Sequence, residues 1–128
     1  MSTPITDLAQ ILASLHVRRR GNYVYAVLPQ VPDGVDVLAT VREAEGLTVI
    51  LAADDAVRLG VDASVVMACL TLDVHSSLEA VGLTAAVASA LVAEDIPCNM
   101  VAGYYHDHVL VPVGMAQRAV EVIERLGG

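Results

Sequence analysis

The segment YYHDHVLV, Tyr104–Val111, carries the side chains best suited to chemistry. His106 and His108 are two residues apart, so in a strand both rings point to one face, which suits a metal ion. Two imidazoles still need further ligands, and Asp107 would face the opposite way. The spacing therefore favours hydrogen-bonding hairpin residues over a metal site. A direct contact with a ligand or partner, or a pH-sensitive contact, stays open.

A second polar segment runs from His75 to Thr84, between a predicted strand and a predicted helix. Ser76 and Glu79 have the S-x-x-E spacing of a capping box, which would simply start the helix. Free N–H groups at a helix start can equally bind a carboxylate, and Gly82 would allow a close backbone approach. Ser76, Ser77 and Thr84 could add hydroxyl donors for the carboxylate, and Asp73 or Glu79 could accept from a ligand ammonium. Capping alone and capping with ligand binding both remain open.

Catalytic chemistry has little support in the sequence. Cys98 lies in an apolar segment without an evident activating base, and His75 beside Ser76 does not make a triad. No G-x-G-x-x-G, P-loop or H-E-x-x-H pattern occurs. We therefore expect neither an enzyme nor a cofactor.

Composition narrows the class of protein further. Hydrophobic residues make up 55% of the 128 residues, but Phe and Trp are absent, so the core must consist of Val, Leu, Ile and Ala. The net charge of −8 argues against broad nucleic-acid binding, and the apolar runs are too short to span a membrane. The start MSTPITD does not resemble a signal peptide. Cys69 and Cys98 are therefore expected to be reduced thiols in a cytoplasmic protein.

The apolar periodicity predicts an α+β protein with short elements. The first half is predicted to contain a helix from Thr3-Pro4, strands at 22–28 and 47–52, a short strand near 39–42 and a helix at 56–59. The second half is predicted to contain strands at 65–74, 97–102 and 108–113 and helices at 79–93 and from 114. Arg18, Arg19 and Arg20 are expected in a solvated loop before the first strand, with an anion or partner contact as the alternative.

This order of elements indicates two incomplete ferredoxin-like units. Residues 64–128 read as a βαββαβ unit without its last strand, and residues 1–63 as the same unit without its first strand. Long apolar sheet edges cannot stay bare in water, so we expect the halves to share strands across a junction near 61–65.

The string HSSLEAVGLTAAVASALVAEDIPCNMVAGYYHDHVLVP, His75–Pro112, resembles ACT domains, with its strand, Gly82 loop, helix and I-x-C-N strand. REAEGLTVIL, Arg42–Leu51, is similar to the N-terminal half of short stand-alone bacterial proteins akin to the tandem ACT arrangement of aspartate kinases. The resemblance implies two intertwined ACT-type units that bind a small molecule, in the first instance an amino acid. It implies regulation without catalysis, exerted through a homodimer or a regulated enzyme partner.

The resemblance also suggests which residues would contact the ligand. Asn99, on an otherwise apolar strand, either lines the groove or occupies the exposed face. The expected set is Asp73, Ser76, Ser77, Glu79, Gly82, Leu83, Thr84, Asn99, His106 and His108. Two other functions stay open: a protein–protein assembly module with no small ligand, and a metal-dependent enzyme that uses His106 and His108.

Overall fold

The computed structural model describes residues 7–74 and 82–128. The six strands of this part are β1 Val17–Leu28, β2 Val37–Glu43, β3 Gly46–Ala52, β4 Met67–Leu72, β5 Asn99–Ala102 and β6 Asp107–Pro112. Its α-helices are α1 Leu8–Ala13, α2 Ala53–Leu59, α3 Leu83–Ala93 and α4 Ala116–Glu124, with short 3-10 segments at Val113–Met115 and Arg125–Gly127.

The strands form one antiparallel sheet in the order β2-β3-β1-β4-β6-β5. Strand β1 is long enough to serve two partners: its first half pairs with β4 and its second half pairs with β3. Four neighbouring strands, β4-β1-β3-β2, have the ferredoxin-like order, and so do β1-β4-β6-β5. Each unit therefore uses β1 and β4, and the predicted α+β, ferredoxin-like fold is confirmed.

One detail of the predicted topology is wrong. The first unit does not lack its first strand, because β1 supplies it; it lacks the helix that should follow that strand. Residues 29–36 connect β1 directly to β2, and Pro29 and Pro32 oppose a helix in this short segment. Helix α1 instead precedes β1.

The helices of the described residues cover one face of the sheet. Ile11, Val87, Leu91 and Ile123 pack there with strand residues such as Leu70, while Ala56 of α2 packs with Val24, Val49 and Leu51. A further cluster contains only strand residues and lies on the opposite side, which we call the open face. Its buried members are Tyr23, Ile50, Met67, Cys69 and Leu110.

The arginine triplet lies in β1 and not in a loop, so that expectation is wrong. Arg18 pairs with Thr71 of β4, and the register shifts between Arg19 and Gly21, so that Arg20 is the extra residue of a β-bulge. Long arginine side chains are compatible with a strand because their charged heads can stay in water. Without this segment, one edge of β4 would have no hydrogen-bond partner. Pairing with β4 therefore determines the strand conformation of the arginine triplet.

The helix starts also differ from expectation. Helix α1 begins at Leu8 with Asp7 at its N-cap, whose side chain accepts from the Gln10 N–H; Thr3-Pro4 lies outside the described residues. Helix α3 begins at Leu83 and not at Glu79, with Gly82 at its N-cap and no side-chain capping bond. The predicted caps, Ser76 and Ser77, lie outside the described residues. Strand β5 begins only at Asn99, since Pro97 has no N–H for the ladder.

Candidate functional site

Three of the predicted site residues come together where β4 ends and β6 begins. Asp73 follows β4 directly, and Arg18 of β1 donates from Nε to Asp73 Oδ2 at 3.2 Å. His106 Nε2 lies 4.0 Å from the other carboxylate oxygen, Asp73 Oδ1. With Thr71 and His108 these residues form a group that we call the strand-end cluster. The cluster places the positive charge of Arg18 and the negative charge of Asp73 close enough together for one small molecule to contact both.

Asp73 and His106 differ in how their polar atoms are partnered. The hydrogen bond from Arg18 holds the pKa of Asp73 below its ordinary value, so Asp73 is a carboxylate at neutral pH. Nδ1 of His106 is buried and has no hydrogen-bond partner among residues 7–74 and 82–128. The nitrogen that faces the Asp73 carboxylate is therefore the other one, Nε2, at 4.0 Å from Asp73 Oδ1.

His108 has a different environment from His106. Its Nδ1 lies 3.0 Å from the hydroxyl of Thr71, which is 1% exposed. Burial, and then the charge of Arg20, lower the pKa of His108 below its ordinary value of about 6.5. His108 is consequently a neutral ring at pH 7 that hydrogen-bonds to a side chain of the neighbouring strand β4.

A tight turn positions the two histidines. The Gly103 N–H donates to the carbonyl of His106 at 2.9 Å, which closes the hairpin between β5 and β6. A Cβ at Gly103 would lie 2.7 Å from that carbonyl oxygen, so the turn requires glycine. Asp107, between the histidines, is half-buried, and burial raises the pKa of its carboxyl.

Asn99 lies on the same face as the strand-end cluster but not within it. It pairs with Leu110, and Leu110 pairs with Cys69, which places Asn99 one row along the open face from His108. Its side chain is exposed. The structure therefore agrees with either interpretation of Asn99, as a groove residue or as a solvated one.

The start of α3 is separate from the strand-end cluster. Leu83 is buried among the residues of the helix-covered face, whereas Thr71 and His108 pair across the open face. Gly82 has φ +105°, and a Cβ there would meet Cδ2 of Leu8 at 3.0 Å, so its close approach is to helix α1. Thr84 is exposed. The remaining predicted residues, Ser76, Ser77 and Glu79, lie outside the described residues.

The structure also shows a cleft that the sequence did not indicate. It encloses about 240 Å³ beside the bulge of β1. Arg20 Nε donates to the Tyr23 hydroxyl, which donates to Asp36 Oδ2, each at 3.0 Å. Burial, and then the bond to Asp36, raise the pKa of Tyr23. The lining residues are Arg20, Gly21, Asn22, Tyr23, Asp36, Ala52, Ala53 and Asp54.

The two cysteines are free, as predicted. Cys69 is fully buried in β4, and burial raises the pKa of its thiol, which opposes formation of a nucleophilic thiolate. Within the described ranges, no three His, Cys, Asp or Glu side chains group so as to hold a metal ion. In the same ranges, no helix has both the length and the apolar character needed to cross a membrane.

Comparisons with known proteins agree with this fold. Family models described as ACT domain match residues 3–68 and residues 64–125. The chain therefore belongs to the ACT domain family, whose members are generally regulatory ligand-binding modules. The two matched ranges overlap within the segment that leads into and includes the start of β4.

Several solved structures are similar to the chain. A Vibrio cholerae protein of unknown function, described as a possible transport protein, is 38% identical with a TM-score of 0.82, over 94% of this chain and 96% of that one. An Agobacterium tumefaciens protein has a TM-score of 0.68 at 18% identity, over 88% and 89% of the two chains. Clostridium acetobutylicum aspartate kinase has a TM-score of 0.63 at 11% identity, over 89% of this chain and 34% of the kinase. The last two show the fold alone. A search of curated proteins found no match.

Proposed function

We propose that this protein is a regulatory module that binds an amino acid and has no catalytic activity of its own. The observation that carries the proposal is the pairing of Arg18, Asp73 and His106 within 4.0 Å contacts at the end of β4. An amino acid presents a carboxylate and an ammonium a few ångströms apart, and this cluster offers a partner to each. The ACT family of the chain supports a ligand of this class.

The proposed contacts follow from the free donors and acceptors. Arg18 uses Nε on Asp73, so its terminal nitrogens can bind a ligand carboxylate in the bidentate way that favours guanidinium groups. Asp73, held ionised, accepts from the ligand ammonium. The side chains of Arg18 and Asp73 are 53% and 33% exposed, which leaves both accessible. Ser76, Ser77 and Glu79 follow Asp73 in the chain and belong to the same proposal as further donors and acceptors.

The first experiment is thermal unfolding with each of the twenty amino acids in turn. A ligand at about 100 times its Kd stabilises by about 2.7 kcal/mol, which is a rise in Tm of about 10 °C for a chain of this length. We expect one or two amino acids to give such a rise. Arg18→Gln should abolish it, because the carboxylate loses its bidentate partner.

A matched control lies next to Arg18 in the same strand. Arg19 pairs with Leu70 and its guanidinium donates to Asn22, away from Asp73, so Arg19→Gln should leave the response unchanged. Equal loss in both variants would refute the assigned site. Gly82→Val is unsuitable as a probe, since the positive φ and the contact with Leu8 would strain the fold. No response to any amino acid would refute the ligand class and favour an assembly module.

The proposed module would act through a partner, because it is proposed to carry no catalysis of its own. The partner is either a second copy of the chain or a separate enzyme. Binding at the end of β4 would then alter the packing of that partner, provided that the ligand binds the two assembly states with different affinity.

A further inference from the structure

The cleft beside the bulge of β1 lies at a break in the sheet. Strand β3 ends at Ala52, which pairs with Tyr23, so the residues of β1 before Tyr23 pair only with β4. In the part of the chain that the structure describes, the edge of β1 along the cleft therefore has no second strand partner. Backbone N–H and C=O groups on such an edge are open to a hydrogen-bonding partner. The cleft is thus bordered by polar backbone as well as by polar side chains.

Arg20 is held in place at the cleft by contacts that leave its terminal nitrogens uncommitted. Its Nε donates to the hydroxyl of the buried Tyr23 at 3.0 Å, and its guanidinium carbon lies 6.0 Å from the centre of the Tyr23 ring. Nη2 lies 3.9 Å from Asp36 Oδ1, which is too long for a hydrogen bond. Among the described residues, no acceptor takes a hydrogen bond from the terminal nitrogens. A guanidinium presented in this way suits the two oxygens of a carboxylate.

The cleft also offers acceptors for a hydrogen-bond donor. Asp54 is exposed at its border, and within residues 7–74 and 82–128 the Asp54 side chain makes no hydrogen bond or ion pair. Asp36 accepts from the Tyr23 hydroxyl through Oδ2, which leaves Oδ1 to accept from a ligand. An amino or hydroxyl group on a ligand would therefore find an acceptor on this side of the cleft.

The charges of the lining distinguish between anionic ligands. Arg20 supplies the positive charge, whereas Asp36 and Asp54 each supply a negative one. A phosphate dianion would be repelled by this excess of acid, and a carboxylate without a donor would leave Asp54 unpaired and facing it. The volume of about 240 Å³ is also below the roughly 300–1,000 Å³ of sites for drug-sized ligands. The lining therefore suits a small molecule with one carboxylate and at least one donor.

From the break in the sheet, the uncommitted guanidinium and the uncommitted acid, we propose that the cleft is a second binding site, for a small monocarboxylate that also carries an amino or hydroxyl group. Arg20 binds the carboxylate, and Asp54 accepts from the donor. Asn22, whose Oδ1 accepts from Arg19 at 3.4 Å, adds its amide N–H groups.

This second site is separate from the strand-end cluster. It lies where β3 ends and β2 is about to begin, with Ala52 and Asp36 at its border. The strand-end cluster lies where β4 ends, and neither Arg18 nor Asp73 lines the cleft. Binding in the cleft consequently does not depend on the function proposed above.

The test uses substitutions that separate the two sites. Thermal unfolding and then isothermal titration calorimetry measure binding of the twenty amino acids, lactate, glycerate and β-alanine, with propionate as the carboxylate that lacks a donor. A probe whose binding survives Arg18→Gln is bound outside the strand-end cluster. We expect at least one such probe, and we expect Arg20→Gln to weaken its binding at least tenfold because the carboxylate loses its bidentate partner. Propionate should not bind.

Asp54→Asn tests the site without disturbing the contacts of Arg20, since the Asp54 side chain has none of its own in the described ranges. We expect at least a tenfold loss of affinity for an amino ligand. The loss should be smaller for a hydroxyl ligand, because the asparagine oxygen still accepts from a hydroxyl. Asp33→Asn removes the same charge from an exposed residue outside the cleft and should leave the affinity unchanged.

Three results would overturn the inference. They are the loss of every response in Arg18→Gln, wild-type affinity in both Arg20→Gln and Asp54→Asn, and equal losses in Asp54→Asn and Asp33→Asn. Circular dichroism checks folding, and Asp54→Asn decides the matter if Arg20→Gln unfolds. A probe that binds the wild type and Arg20→Gln but not Arg18→Gln would uphold the strand-end site while it refuted the site in the cleft.

Discussion

The sharing of β1 and β4 predicts that the two ACT units unfold together. Leu51 belongs to the core of the first unit and Leu91 to that of the second, and both are fully buried. Leu51→Ala or Leu91→Ala should each cost about 2–5 kcal/mol through lost burial and a residual cavity. Neither unit can lose its core without removing a strand partner from the other. Both substitutions should therefore lower one common transition.

The size of the effect follows from the length of the chain. An unfolding entropy of about 2.1 cal/mol/K per residue gives roughly 270 cal/mol/K for 128 residues. A loss of about 3 kcal/mol then lowers Tm by about 11 °C. Differential scanning calorimetry at fixed protein concentration should show a single peak for each variant, with equal calorimetric and van't Hoff enthalpies. Leu59→Ala is the control, since Leu59 is 40% exposed at the end of α2.

Two separate peaks would refute this account of the fold. So would hydrogen exchange that is accelerated only in the β5–β6 hairpin by Leu91→Ala, or only in the β2–β3 hairpin by Leu51→Ala. Either result would mean that the paired strands β1 and β4 do not couple the units.

Two further predictions concern the histidine hairpin. Gly103→Ala should destabilise by about 1–3 kcal/mol in urea unfolding, because its Cβ would meet the His106 carbonyl, whereas Gly114→Ala, with open space around its Cβ, should not. Because burial lowers the pKa of His108 in the folded state, the unfolded chain binds that proton at a higher pH, and stability should fall as pH drops below about 6.5. His108→Gln should remove this part of the pH dependence, while His16→Gln, at a 73% exposed side chain, should keep it.

Three strands could be predicted from runs of β-forming residues in the local sequence. The β-forming runs around Val49, Leu70 and Val109 predicted β3, β4 and β6 to within a few residues of their observed bounds. Strand β1 was predicted too short, because Arg18 and its neighbours are not strong strand formers. Their conformation comes from pairing with β4, more than 40 residues away in the sequence.

The candidate site likewise contains residues that the sequence indicated and residues whose position depends on strand pairing. Asp73, His106 and His108 were selected from residue type together with the ACT resemblance, and the structure places Asp73 beside His106 and Thr71 beside His108. Arg18 was noted only as part of an arginine triplet that could contact an anion. Its place beside Asp73 could not be predicted, because it lies 55 residues from Asp73 and meets it only through the pairing of β1 with β4. The cleft at Arg20 depends on a β-bulge, for which the sequence carried no signal.

The exchange of strands between the units has a consequence for the order of the chain. Each unit takes one strand from the other, because β4 completes the sheet of the first unit and β1 that of the second. Helix α1 also packs against the 3-10 segment Arg125–Gly127, and a Cβ at Gly127 would meet the carbonyl of Leu12. A circular permutant opened between Gly60 and Val66, with its present ends joined, would preserve every strand pair of the sheet. The sequence order of the two halves is thus one of two that this sheet permits.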